Sequence, residues 1–512
     1  MNKISGSNNQ IKWGAVLSYG QLALSIIVGV IYTPLMIRIL GKNEYGLYNT
    51  VASTISMLSI LGLGFNSSYI RFYSRCKKDN IKDSVAKLNG MYLLLFSVIG
   101  LTALICGVFI SFNLELVFAD GLTAGEYEIA RVLSLLLTFN LAVAFPMTAF
   151  SNIISAHEKF VFLKIVGMIK TVLGPLVTFP LLLLGYGSIG MVAVTVSVSL
   201  IADVIYLYFV FVKLKEKFIF SGFDKKLWGS LFSFTFFIAL NLIVNEINWN
   251  IDKMILGRFQ GTAVVAVYSV GYCLYTYYQM FSTSVSGVFT PKVHRLVVST
   301  EDDPEIQRKE LTGLMVKVGR IQYFILLLLV TGVVFFGKAF IGFWAGAGYE
   351  GSYAVALLLI IPATISLIQN VGIEIQRAKN KHKFRSIAYF IMAILNFLMS
   401  VALCQTYGAA GCAFGTAVSV IFANGLIMNI YYYKKCNIDI PYFWKEIGKA
   451  SRGLIIPIIV GTLILVFVPM KNLLILAVSI LAYSVIYCLS VYFFGMNRYE
   501  KSLTTGFFKR KH

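Results

Sequence analysis

Charge is scarce in this chain, and acid is the scarcer half of it. Only 13% of residues are Asp, Glu, Lys or Arg, against 58% hydrophobic. A soluble basic protein must solvate a charged surface, so this balance excludes one. Histidine is rarer still: His157, His294, His382 and His512 are the whole supply, and each reads as a solvated surface group. The seven cysteines (76, 106, 273, 404, 412, 436 and 488) form no metal-ligand spacing and no disulfide framework. No metal and no cofactor is expected. A glycine loop ending in Lys-Ser/Thr, which would cradle nucleotide phosphates, is also missing, and this excludes an ATP-driven pump within the one chain. Long polar loops are lacking too. The longest outer connections, at about 113–127, 249–262 and 338–352, are each too short to hold a catalytic domain. An enzyme is therefore not expected.

What is present is apolar sequence in long runs. A hydrocarbon core about 30 Å thick requires roughly 20 mostly apolar residues per crossing. Fourteen runs meet this: 13–36, 46–70, 88–112, 128–154, 161–184, 188–212, 227–248, 263–290, 311–337, 353–376, 386–406, 411–433, 453–470 and 473–495. Backbone groups in lipid must be satisfied within the segment, so the spans are helices and the fold class is an all-α polytopic membrane protein. Residues 1–12 are polar and precede a run long enough to span, so no cleavable signal is expected.

The net charge of +21 would ordinarily raise nucleic acid as a partner, but the positive charge has a topological explanation. Of 44 Lys and Arg residues, 35 lie in alternate gaps: 1–12, 71–87, 155–164, 213–226, 291–317, 377–385, 434–452 and 496–512. Seven lie in the other gaps, and Lys170 and Arg320 fall inside spans. Basic residues are retained on the cytoplasmic side, so both termini are assigned there and no nucleic-acid partner is expected.

Spans 1–6 and 7–12 also repeat. Ile39-Leu40-Gly41 recurs as Ile255-Leu256-Gly257, and Pro146 as Pro362, each at an offset of 216. Tyr186-Gly187 with Gly190 recurs as Tyr407-Gly408 with Gly411, at an offset of 221. An even number of spans per copy leaves both copies facing the same way, the plan of a two-lobed transporter. The expected organisation is a cytoplasmic segment 1–12, an N-lobe 13–212, a cytoplasmic linker 213–226, a C-lobe 227–433, spans 13–14 with their preceding loop at 434–495, and a basic tail 496–512. Pro34, Pro146, Pro175 and Pro362 interrupt backbone hydrogen bonding inside spans and are hinge candidates.

The charges that break the sorting rule are the informative ones. A charge at the centre of a spanning helix costs about 2.5–3.5 kcal/mol on insertion scales, so it usually meets a partner or a wet cavity. Lys170, Asp203 and Arg320 each lie about nine residues from an inner end, roughly 13 Å deep at 1.5 Å per residue. Lys170 and Asp203 sit on sequential spans and read as an ion pair. Arg320 has no evident acidic partner at its depth and is the first candidate to face an anionic cargo. Arg38, Arg71 and Arg131 flank spans and are candidates for cationic mouths. Asp203, Glu246, Asp252 and Glu374 are candidates for coupling or ion pairing, although Asp252-Lys253 also reads as a surface pair and Glu374 as the i,i+3 partner of Arg377. Tyr268, Tyr272 and Tyr275 share one helical face, suited to stacking on sugar rings or to helix packing.

Residues 17–75 resemble bacterial oligosaccharide flippases, the polysaccharide-transporter branch of the multidrug/oligosaccharidyl-lipid/polysaccharide (MOP) exporter superfamily. Tyr32-Thr33-Pro34, Leu40-Gly41, Glu44-Tyr45-Gly46-Leu47-Tyr48, Leu63-Gly64-Phe65 and Arg71 carry the likeness, and Asp252 through Ser269 is similar to the start of the family's second lobe. The resemblance implies movement of an undecaprenyl-pyrophosphate-linked oligosaccharide from the inner to the outer leaflet of the bacterial cytoplasmic membrane, by alternating access, for cell-surface polysaccharide synthesis. It implies a monomer whose partners are the polyprenyl-pyrophosphate-linked glycan, membrane lipids and the polysaccharide assembly machinery. A lipid II-type flippase, a multidrug/cation antiporter of the same superfamily and a membrane polymerase or ligase are the alternatives.

Overall fold

A computed structural model describes residues 2–62, 64–79, 83–222, 229, 243–244 and 246–502. Helix dominates, with no strand among the described residues. Nine of their helices are long and apolar enough to cross a membrane, or ten when the bent pair Gly351–Leu367 and Asn370–Ala378 counts as one span. Two of the nine are far too long for one crossing. Val16–Gly62 has 47 residues and Lys383–Lys435 has 53, about 70 and 80 Å at 1.5 Å per residue, against a core of about 30 Å. Each is broken at a glycine in a left-handed conformation, Gly41 (φ 75°) and Gly408 (φ 53°). The chain is an all-α, multi-pass membrane protein. Span 7, expected at 227–248, lies almost wholly outside the described residues.

The contacts divide the chain into two compact units, residues 1–266 and 267–512. The first holds α1 (Asn2–Ser56), α2 (Phe65–Asp79), α3 (Ser84–Phe112), the short α4 (Leu114–Phe118), α5 (Ala124–Ala156), α6 (Phe160–Leu183), α7 (Gly187–Tyr208) and α8 (246–259). Lipid supplies no hydrophobic drive between helices, so close approach through small residues holds them together. A Cβ on Gly107 of α3 would lie 2.4 Å from Thr138 of α5, and one on Gly100 would lie 2.5 Å from the Ala142 carbonyl. The aromatic core of this unit sits at one end, where Phe65, Tyr69, Tyr92, Phe96 and Phe150 are buried together. Outward residues such as Ile105 and Phe109 are about three-fifths exposed, as a lipid-facing surface requires.

Two residues of one resembling motif, Glu44 and Gly46, now have physical roles. The Glu44 carboxylate accepts a 2.6 Å hydrogen bond from the Ser188 amide at the start of α7, where a helix N-terminus favours negative charge. A Cβ on Gly46 would stand 1.8 Å from the Thr262 carbonyl oxygen, so only glycine permits that approach.

The second unit holds most of α9 (Thr262–Gly287), then α10 (Thr290–Ser299), α11 (Pro304–Trp344), α12 (Gly351–Leu367), α13 (Asn370–Ala378), α14 (His382–Val420), α15 (Asn429–Lys435), α16 (Ile440–Ala450), α17 (Ile455–Phe467) and α18 (Leu473–Ser490). Asp303 caps α11 by accepting from the Glu305 and Ile306 amides, with Pro304 in the first turn. Helices α17 and α18, which carry spans 13 and 14, pack on α11 through Phe324, Phe335, Phe336, Tyr483 and Tyr487. The Tyr487 hydroxyl donates to the Phe324 carbonyl at 2.7 Å, which satisfies a buried polar group inside that core. The repeat is visible at one glycine pair: Gly187 (φ 56°) and Gly408 (φ 53°) share a left-handed turn. At the other pair Gly41 is left-handed while Gly257 is not.

Candidate functional site

Within the first unit, three spanning helices leave a mainly apolar pocket of about 320 Å³ that one cation and several hydroxyl-bearing residues line. Helix α6 contributes Lys170, Thr171, Gly174, Pro175 and Thr178, one face at i, i+1, i+4, i+5 and i+8. Helix α7 adds Met191, Thr195 and Val198, and α1 adds Tyr32, Met36 and Tyr48. Pro175 lacks an amide hydrogen, so the Thr171 carbonyl four residues earlier has no helical donor. Gly174 removes the side chain that would fill the space beside it, since a Cβ there meets nothing within 4 Å. Lys170 is exposed toward this volume. Asp203 on α7 feels its charge, but the two form no ion pair within 4.0 Å. The expected direct Lys170–Asp203 pair is therefore corrected to a looser coupling that leaves the ammonium uncapped. A pocket lined by one cation, two tyrosines and three threonines suits an anionic or polyhydroxylated group.

Arg320 is placed otherwise. Its Nε and Nη2 donate to the Glu500 carboxylate at 2.6 and 2.9 Å, Nη1 to the Glu446 carbonyl at 2.7 Å, and Nη2 to the Gly495 carbonyl at 2.9 Å. The Glu446 carboxylate stands 3.8 Å away. The residue is 2% exposed, and Glu500 is 4% exposed. Four of its five N–H donors are consumed, so Arg320 is not a cation held open for cargo, and the expectation that it lacks an acidic partner is wrong. Sequence depth alone missed Glu500 because it lies 180 residues away, in a stretch that reads as a basic tail. Beside this knot lies a larger cavity of about 970 Å³, lined by Lys292, Arg308, Lys309 and Lys317 with Glu305 and Glu310. Arg308 is paired with Asp439 at 3.2 Å, and Lys317 lies 3.5 Å over the Tyr499 ring.

The tyrosine stripe is mostly packed away. Tyr268 is 0% and Tyr275 2% exposed. Tyr268 stacks on Tyr272 at 6.4 Å, and Tyr272 meets Tyr275 at 5.8 Å. Rings buried against one another offer no face to a sugar, which corrects the stacking expectation for Tyr268 and Tyr275 and leaves only Tyr272 partly open. Glu374 does pair with Arg377, at 2.7 Å. Asp252 and Lys253 are 0% and 8% exposed, so they are not a surface pair. Glu246 accepts from Asn250 at 2.6 Å. Arg38, Arg71 and Arg131 are exposed, and Arg131 lies 5.8 Å over the Phe112 ring. Pro34, Pro146 and Pro175 lie within continuous stretches of α1, α5 and α6. Pro362 lies in α12, five residues before its end and the 45° bend into α13.

Against the expectation of a solvated group, His157 is part-buried and paired. Its ring closes a network with Glu216, Asn89, Tyr69 and Tyr73 beside the aromatic core of the first unit.

The family model for polysaccharide biosynthesis proteins matches residues 12–297. The chain belongs to that family. Its relatives include the capsular polysaccharide biosynthesis protein CapF of Staphylococcus aureus, 24% identical over 210 residues, 40% of this chain and 50% of that protein. The chain thus spans about half the length of that curated relative. Among solved structures, the lipid II flippase MurJ in an inward closed conformation is similar with a TM-score of 0.70 and 17% identity, over 93% of this chain and 97% of that one. An inward-facing multidrug resistance MATE transporter of the MOP superfamily has a TM-score of 0.63 and 14% identity, over 84% of this chain and 99% of that one. The family member described here therefore has the MOP fold.

Proposed function

We propose that this protein is a flippase that carries an undecaprenyl-pyrophosphate-linked oligosaccharide from the inner to the outer leaflet of a bacterial cytoplasmic membrane. The observation that carries the reading is the family match, which covers the first unit from residue 12 onward. Physical need supports it. A pyrophosphate with a hydrophilic glycan cannot cross about 30 Å of hydrocarbon unaided, and the Lys170 pocket offers a cation and hydroxyl groups where they are costly to maintain. In this reading Lys170 takes a phosphate or sugar oxygen, Arg38, Arg71 and Arg131 guide the charged headgroup at the mouths, and Asp203 modulates Lys170 during the cycle. Pro34, Pro146, Pro175 and Pro362 are the bending points as two lobes, 13–212 and 227–433, alternate access with both termini cytoplasmic. The protein works as a monomer without metal or cofactor.

The likeness to the lipid II flippase fold favours one second reading, a cargo with a single peptidoglycan-type unit. Both readings are transport and not polymerisation or ligation. The discriminating experiment is genetic. Deleting the gene should make the lipid-linked repeat unit accumulate on the cytoplasmic leaflet, while lipid II remains normally distributed. Accumulation of lipid II instead would transfer the assignment to the second reading.

A further inference from the structure

After α7 and the π-helical turn Phe209–Leu214, the chain leaves helical geometry and runs as a strap, residues 215–222, across the beginning of α3. The Ile219 amide donates to the Ala86 carbonyl at 3.0 Å. The Ile219 carbonyl presses so closely that a Cβ on Gly90 would stand 2.1 Å from its oxygen. Glu216 fastens the strap. Its carboxylate accepts from the Asn89 side-chain amide at 2.9 Å and from His157 Nε2 at 3.0 Å, with both partners of the ion pair about one-fifth exposed or less. The Asn89 amide also reaches the Lys217 carbonyl at 3.2 Å, and its oxygen accepts from the Tyr69 hydroxyl at 2.6 Å.

The ring of His157 faces an acceptor on each side: the Ile153 carbonyl lies 2.9 Å from Nδ1 and the Glu216 carboxylate lies 3.0 Å from Nε2. The Tyr73 hydroxyl lies farther off, 3.3 Å from Nε2; the two closer oxygens are both satisfied only when both ring nitrogens carry protons, so the closed geometry suits an imidazolium. A neutral ring would turn a lone pair toward one of these oxygens. The other ionisable groups facing the pair are Lys77, Tyr69 and Tyr73 on α2, while α3 contributes the neutral Asn89. Lys215 and Lys217 flank Glu216 along the adjacent groove. Two of the turns that bring these elements together place non-glycine residues at positive φ, Glu158 (58°) and Lys215 (53°). Such positions persist where surrounding contacts over-determine them.

We propose that residues 215–222 form a proton-sensitive latch, closed onto α3 when His157 is protonated and opened when it loses its proton. The strap leads from α7 toward the stretch expected to hold span 7, at the end that charge assigns to the cytoplasm. Opening it frees the connection between consecutive spans. That this opening sets the transport rate rests on the flippase reading; the latch itself does not.

The test is amide hydrogen exchange over residues 213–222 in the full-length protein, corrected for the intrinsic pH dependence of exchange. Wild type should lose protection as pH rises, by up to about tenfold per pH unit between the ordinary His157 value of 6.5 and its raised one. His157→Gln keeps a donor to Glu216 but cannot titrate in this range, so its protection should stay high and flat with pH. Gly90→Ala drives a methyl group into the Ile219 carbonyl and should expose the strap at every pH. Flat protection in wild type, or a His157→Gln profile that still follows pH, overturns the latch. Glycan flipping in liposomes, measured in parallel, should follow internal pH in wild type and not in His157→Gln. A pH-dependent latch with pH-independent flipping would overturn the rate claim alone. Absence of glycan transfer in every variant, with exchange still following pH, would overturn the flippase reading and leave the latch standing.

Discussion

Arg320 and Glu500, 180 residues apart in the chain, meet through two hydrogen bonds of 2.6 and 2.9 Å and are among the least exposed charges in the second unit. The pair clips the segment after α18 to the middle of α11. Removing one partner of a buried pair costs about 3–5 kcal/mol because the other charge is stranded, whereas replacing both with apolar groups is often nearly neutral. Arg320→Met should therefore lower the unfolding temperature of the purified protein sharply, and Arg320→Met with Glu500→Leu should recover most of the loss. Recovery of transport in the double variant would follow from a structural role. A stable double variant without transport would return Arg320 to the cargo path.

Lys170 is the opposite case, a spanning-helix cation with no ion pair within 4.0 Å. A hydrogen bond to a charged group contributes about 1.5–3 kcal/mol, so Lys170→Gln should cut the rate of glycan flipping roughly 10- to 100-fold while leaving thermal stability near wild type. Thr178→Val, which removes one hydroxyl from the same pocket, should give a smaller loss. Equal rates for Lys170→Gln and wild type at matched expression would remove Lys170 from the site.

These two lysine and arginine positions mark how far the sequence carries. Helical class follows from composition and periodicity, because lipid enforces it segment by segment. The length of each apolar run, too, is readable from the sequence. Orientation is not. Lys170 and Arg320 look alike at about nine residues from the inner end, and only tertiary packing hands one a pocket and the other a carboxylate. The burial of Tyr268 and Tyr275 was hidden for the same reason: a shared helical face does not say what covers it. His157 escaped notice because its partner, Glu216, lies 59 positions on, beyond two spans.

The Glu44-Tyr45-Gly46 motif should prove structural. Gly46→Ala places a methyl group 1.8 Å from the Thr262 carbonyl oxygen, a backbone atom that cannot yield without moving a helix. The variant should lose its monodisperse peak in size-exclusion chromatography. Glu44→Gln, which keeps an acceptor for the Ser188 amide but loses the charge at the helix start, should cost about 1 kcal/mol or less.

Stability should also depend on pH through His157 and Glu216. Hydrogen bonding to Glu216 raises the His157 pKa above its ordinary 6.5 despite burial and nearby Lys77. Hydrogen bonding to His157 lowers that of Glu216 below 4.5 despite burial. The imidazolium contribution is therefore full below about pH 6.5 and is lost as pH climbs through the raised value; the carboxylate contribution is full above about pH 4.5 and is lost as pH falls through the depressed one. Thermal unfolding scans should show a wild-type stability advantage over Glu216→Gln that is largest between these limits and shrinks toward pH 9. An advantage that grew with alkalinity would contradict the assigned protonation.

Glycan flipping is measured with purified protein in liposomes that contain a fluorescent polyprenyl-pyrophosphate-linked glycan, with a membrane-impermeant enzyme or quencher reporting which leaflet it occupies. A flippase gives protein-dependent transfer between leaflets that weakens in Lys170→Gln, with no efflux of a cationic dye from the same vesicles. Dye efflux without glycan transfer would contradict the flippase reading.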